Sequence, residues 1–142
     1  MRKAKLFISI LRIALGWMFF YVGLSYMTSG WSVASSIQNA KTFPWLYDAI
    51  LKTSSVHAVS GVIEIAFMVI GALLVLGLFT RLVSLAGIAL MLFFYFPLLH
   101  FPHVDPSYFI IDDHIIYCLI LAYLFVSKPS GIFGSIFKSS RY

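Results

Sequence analysis

Residues Val56–Phe79 read VHAVSGVIEIAFMVIGALLVLGLF, and Glu64 is the single Asp, Glu, Lys or Arg among them. At about 1.5 Å per residue, a helix over this stretch is about 36 Å long, enough to cross a hydrocarbon core of about 30 Å. The run is continuously apolar, with no alternation of period two, so it reads as a helix and not as a barrel strand. Three further runs share this character: Leu6–Met27, Leu82–Phe101 and Phe109–Val126. The spacing predicts an all-α integral membrane four-helix bundle forming one domain over residues 1–142, with no separate soluble part.

Composition agrees. The chain is 61% hydrophobic and only 11% charged, with a mean hydropathy of +0.97, whereas a soluble domain carries roughly a quarter of its residues charged. The net charge of +5 does not mark a nucleic-acid partner, because the basic residues sit at the ends of apolar runs and form no patch. Arg2, Lys3, Lys5, Arg81, Lys128, Lys138 and Arg141 fall on one side of the four runs, and only Lys41 and Lys52 on the other. Cytoplasmic loops carry the basic excess, so both termini are expected inside. The first run is too long for a cleaved leader and is interrupted by Arg12, so it is expected to be retained. Lone Cys118 allows no disulfide within the chain and reads as a small apolar side chain.

Between the first two runs, Thr42-Phe43-Pro44 reads as a helix start, since proline suits the first helical position. Phe43, Leu46, Tyr47, Ile50 and Leu51 fall on one face, and Asp48 and Lys52 pair at i, i+4 on the other. With Trp31 and Trp45 nearby, the segment is expected to lie amphipathically on the outer interface. The tail from Ile132 to Arg141 has a similar pattern suited to an anionic inner leaflet.

Ionisable groups inside a span are costly and ask for an explanation. Arg12 lies about 10 Å deep from one side and Glu64 about 12 Å from the other, a height difference of about 8 Å. Two long side chains can close that gap, so an Arg12–Glu64 contact is expected. It serves either as a structural ion pair or as a proton-handling or head-group site; otherwise Arg12 snorkels to the inner interface. Gly16, Phe19 and Gly23 share the Arg12 face, and His57, Ser60, Met68 and Gly71 the Glu64 face, with small residues allowing close approach.

A second constellation gathers at the outer ends: His57, His100, His103, Asp105, Asp112, Asp113 and His114. Three readings stand beside one another: an interfacial loop with a capped helix start, a polar pocket for a proton or a head group, and metal or haem ligation. No tight ligand spacing appears, so no metal is expected. Neither P-loop, GxGxxG, GxSxG nor CxxC is present.

The ordered stretches Leu11-Arg12-Ile13-Ala14-Leu15-Gly16-Trp17, Gly23-Leu24-Ser25, Gly30-Trp31-Ser32, Gly71 through Leu82, and Ile111-Asp112-Asp113-His114-Ile115-Ile116-Tyr117 together resemble the DoxX/DoxD family of four-helix membrane proteins. Many relatives carry a lysine where this chain has Tyr26, so no role of that lysine is carried over. The resemblance implies a membrane subunit of a quinone-linked redox complex in the prokaryotic cytoplasmic (inner) membrane. Arg12, Glu64, His57, Asp113, His114 and Tyr117 are then the candidate quinone-binding or proton-handling residues. No intrinsic cofactor is expected beyond a bound quinone, and the expected partners are the lipid bilayer and other subunits. The alternative is a non-catalytic accessory subunit packed against a larger complex.

Overall fold

The computed structural model describes residues 2–52, 55–100, 103–105 and 108–127. In chain order they form α1 (Arg2–Ser29), α2 (Val33–Ile37), α3 (Pro44–Lys52), α4 (Val56–Leu76), α5 (Thr80–Leu98), β1 (His103–Asp105), β2 (Tyr108–Phe109) and α6 (Asp113–Val126). The amphipathic tail expected over residues 132–141 lies outside the described residues.

Three helices are long and apolar enough to cross a membrane: Leu6–Ser29 within α1, Val56–Leu76 and Thr80–Leu98. The fourth run corrects the expectation. It is helical only from Asp113, because Asp112 caps the helix by accepting from the Ile115 amide, and Ile110 just before it has φ 57°. The 14 residues of α6 span about 21 Å, short of a core of about 30 Å. Phe109, assigned to that span by hydropathy, pairs instead with β1, as Tyr108 does, in a two-stranded hairpin.

The bundle is held by two tight helix pairs. In the first, α1 runs antiparallel to α4, and three glycines set the distance. A Cβ on Gly16 would stand 2.8 Å from the Val75 amide nitrogen, and one on Gly23 2.8 Å from the Glu64 carbonyl. One on Gly71 would stand 2.6 Å from the Gly16 carbonyl and collide with the Phe20 backbone. Close backbone approach through small residues is how helices associate where lipid removes the hydrophobic drive between them. In the second pair, α6 runs back along α5: Leu121 fills the space at Gly87, and Cys118 Sγ lies 3.9 Å from the Ile88 carbonyl. Leu15, Phe19, Phe67, Ile70, Leu74, Leu121 and Leu124 form the core between the pairs. On the outside, Phe7, Trp17, Val62, Phe79, Leu82, Leu119 and Val126 are all more than 60% exposed. An apolar belt of this extent is a surface for lipid tails.

These directions place Arg81 and the start of α1 at one end of the bundle, here the basic end. Lys41 and Lys52 lie at the other, where α2, α3 and the hairpin close the structure. The short α2, not foreseen from hydropathy, sinks Val33 and Ile37 to full burial. It is anchored by Ser60 Oγ, which accepts from the Val33 amide at 3.0 Å and donates to the Val56 carbonyl at 3.0 Å.

Helix α3 begins at Pro44 as expected, but its apolar face seats on protein. Tyr47 is 2% exposed, and the Phe43 ring meets Phe96 edge-on at 5.4 Å. Trp31 also lies inside, stacked on Tyr26 at 4.2 Å. Trp45 keeps the expected outward position, 71% exposed, and Phe43 and Leu46 stay partly outward at 47% and 39%. Asp48 and Lys52 are exposed, and no ion pair joins them among the described residues. Water competes well for such a pair.

One bond explains the docking of α3. Pro97 lies inside α5 and has no N–H for the carbonyl four residues back, that of Phe93. The Tyr47 hydroxyl donates to that carbonyl at 2.9 Å. Burial pushes the Tyr47 phenol above its ordinary pKa, which keeps it the neutral donor the bond requires. Tyr47→Phe is expected to cost about 1 kcal/mol, read as a lowered thermal midpoint in detergent.

Candidate functional site

At the end opposite Arg81, the helices splay around a cavity of about 720 Å³. Its inner part is lined by Met18 and Val22 from α1, Phe67 from α4, and Met91 and Phe94 from α5. Flexible thioethers and aromatic faces of this kind accommodate a flat apolar ring. Nearer the opening, the lining turns polar: Tyr26, Ser35, Ser36, Asn39, His100, His114 and Tyr117. A pocket of this size with a mostly apolar wall and a few convergent polar groups has the form of a small-molecule site.

His114 is the best-organised of these groups. Its Nδ1 lies 2.7 Å from Asp112 Oδ2, and Asp112 Oδ1 accepts from the Ile115 amide at 3.2 Å. Asp112 is only 6% exposed. The turn before it is pinned by the Tyr95 hydroxyl, which donates to the Ile110 carbonyl at 2.6 Å. A further bond, from the Ile111 amide to the Phe109 carbonyl, is 2.6 Å long. A β-branched residue at positive φ is a strained element, and here the strain lies two residues before the carboxylate that holds the imidazole. Tyr117 stands one turn beyond His114 on the same helix face.

The structure separates the other expected site residues from this cavity. His57 and Asp113 are exposed on the first turns of α4 and α6, outside its lining. Glu64 is half-buried on α4, and its carboxyl makes no ion pair among the described residues.

Arg12 does not meet Glu64. It is 2% exposed, its guanidinium lies against Gly77, and Nε and Nη1 have no hydrogen-bond partner among the described residues. Since Gly77 packs at Arg12 and Glu64 packs at Gly23, thirteen α4 residues, about 20 Å, separate the two charges along the axis. The glycine contacts set this register, and a helical side chain leans towards its own N-terminus, so Arg12 points away from Glu64. It sits instead beside the C-terminal end of α4. That end is closed by Gly77 at φ 71° with the Gly77 and Leu78 amides bonded to Leu74 and Leu73 carbonyls, where a cation favours the helix dipole. Glu64→Gln is accordingly expected to change stability by less than about 0.5 kcal/mol, measured by thermal unfolding in detergent.

Of the six residues singled out from sequence, His114 and Tyr117 thus share a cavity and Arg12, Glu64, His57 and Asp113 lie elsewhere. Asp112 and His100, seen from sequence only as part of the outer constellation, gain specific positions. Tyr26, Ser35, Ser36 and Asn39 were not singled out. Only the short buried α2, which has no hydropathy signature, brings the last three to the cavity. Among the described residues no group of His, Cys, Asp and Glu could hold a metal ion.

The family model described as DoxX matches residues 7–100. Neither the curated proteins nor the solved structures contain a match to the chain. The matched stretch runs from α1 to His100, so the cavity walls from α1, α2, α4 and α5 fall within it and the Asp112–His114 pair lies beyond it.

Proposed function

The chain belongs to the DoxX family of membrane proteins, and from that premise we propose that it is an integral-membrane subunit of a quinone-linked redox complex whose cavity receives the quinone head group. The observation that carries this reading is the cavity of about 720 Å³, where an imidazole held by a carboxylate and a phenol meet a floor of Met18, Phe67, Met91 and Phe94. A quinone ring is flat and apolar on its faces, with two oxygens on opposite edges. Aromatic and methionine walls suit the faces, and Tyr117, His114 and Asn39 are the residue types that suit the oxygens.

Reduction of a quinone takes up two electrons and two protons, and oxidation of the hydroquinone returns them. The His114 imidazole is the residue type here suited to passing a proton to or from a ring oxygen. The electrons come from a donor on a partner subunit or from a directly bound substrate when the quinone is reduced, and pass to an acceptor there when the hydroquinone is oxidised. In this reading α6 is the fourth helix of the membrane bundle, and both termini face the cytoplasm of a prokaryote, as the basic end implies.

Purification in mild detergent followed by organic extraction tests the proposal. Roughly stoichiometric quinone is expected with the native protein. Tyr117→Phe, which removes one hydrogen bond to a ring oxygen, is expected to weaken binding about tenfold. A well-folded protein that carries no quinone and binds none added would overturn the reading and leave the accessory-subunit role.

A further inference from the structure

We infer that Asp112 is a positioning residue that makes the cavity select the hydroquinone form of its ligand over the quinone form, an inference that rests on the quinone reading above. Which nitrogen of His114 carries hydrogen decides the selection. Both oxygens of Asp112 are engaged: Oδ1 takes the Ile115 amide at 3.2 Å, and Oδ2 lies 2.7 Å from His114 Nδ1. A carboxylate offers only acceptors, so the short contact requires N–H on Nδ1. In the neutral imidazole, Nε2 is then a bare lone pair.

The arrangement is rigid. Asp112 is 6% exposed and cannot turn its carboxylate to water without giving up the α6 cap. The turn before it is held by the Tyr95 hydroxyl on the Ile110 carbonyl at 2.6 Å. The hydroxyl of Tyr117, also in the cavity lining, can rotate to donate or accept, and the amide of Asn39 offers both. These groups serve either redox form of a ligand. His114 Nε2, fixed as an acceptor, does not: a hydroquinone O–H can donate to it, whereas a quinone carbonyl sets lone pair against lone pair.

Asp112→Asn separates this role from a structural one. Asparagine is as good a helix cap as aspartate, so Oδ1 can keep the Ile115 amide. The group facing His114 Nδ1 then becomes an NH2 donor, which draws the hydrogen to Nε2 and turns that nitrogen into a donor.

The experiment uses the full chain in lipid nanodiscs, with duroquinone and durohydroquinone as anaerobic binding probes. Nitrogen NMR of isotope-labelled histidine without ligand accompanies it, at about pH 8.5 and above the ordinary imidazole range near 6.5. The signal of His114 is identified by its loss in His114→Gln. The native protein is expected to show hydrogen on Nδ1 and to bind durohydroquinone about tenfold more tightly than duroquinone, the effect of one hydrogen bond made or lost. Asp112→Asn is expected to move the hydrogen to Nε2 and to abolish or reverse the preference, with the thermal midpoint retained. Hydrogen on Nε2 in the native protein overturns the inference, and so does a preference that survives the tautomer change. If His114 carries hydrogen on Nδ1 and neither probe binds the native protein, the quinone reading of the cavity fails, an outcome distinct from a failure of the tautomer argument.

Discussion

Gly71→Leu is expected to prevent assembly of the bundle, with a loss of about 3 kcal/mol or more in stability and little monodisperse protein on size-exclusion chromatography. The first side-chain carbon alone would meet the Phe20 backbone and stand 2.6 Å from the Gly16 carbonyl. Backbone cannot move aside as a side-chain tip can, so α1 and α4 must separate. Separation also unseats Leu15, Phe19, Phe67 and Leu74 from the core they share. Gly61→Leu is the matched control, because a Cβ there meets nothing within 4 Å. That variant is expected to be neutral or slightly stabilised, since glycine weakens a helix interior by about 1 kcal/mol. Equal stability of the two variants would show that α1 and α4 do not meet at Gly71.

The second large effect is of opposite sign. Arg12→Met is expected to stabilise the isolated protein by about 1–3 kcal/mol, read as a raised thermal midpoint in detergent. A guanidinium that is 2% exposed, with Nε and Nη1 unpartnered, carries a desolvation cost that its place beside the end of α4 offsets only in part. The helix-dipole contribution is about 0.3–2 kcal/mol, whereas each unsatisfied buried donor costs about 1–3 kcal/mol. Methionine keeps much of the length and packing without the charge. Arg12→Glu, which sets an anion against the same carbonyl end, is expected to lower the midpoint sharply. A loss of stability in Arg12→Met comparable to that in Arg12→Glu would mean that the guanidinium is satisfied by a partner and holds the bundle together.

Arg12 also shows where sequence reading fails. Depth along each span, taken from the run boundaries, puts Arg12 and Glu64 within about 8 Å in height. The counting was sound for each helix alone, but height between helices depends on register, and register is decided where backbones touch. Gly16 against Gly71 and Gly23 against the Glu64 carbonyl fix α1 against α4 with the two charges about 20 Å apart along the axis. The same glycines were legible as the packing face, because their spacing is helical and their size is small. Which glycine meets which was not.

The outer end divides in the same way. The polar constellation was visible as a cluster of His and Asp near the ends of apolar runs, and His114 with Tyr117 at i, i+3 share one helix face on spacing alone. That Asp112 and not Asp113 serves His114 follows from the helix beginning at Asp113, a single-residue matter of capping. That Asn39, Ser35 and Ser36 reach the cavity follows from the five-residue α2, too short to leave a periodic signal and stable only because its apolar side is buried by the rest of the chain.

Hydrophobicity and the placement of charge therefore determined the class of this protein by themselves: long apolar helices suited to a membrane, and basic residues gathered at one end. These properties are sums over many residues, each contributing without reference to its partners. The cavity, the imidazole–carboxylate pair and the unpaired arginine were decided only in three dimensions. Each depends on contacts between segments distant in the chain or on one backbone turn, and a few ångströms of helix register decide which polar group meets which.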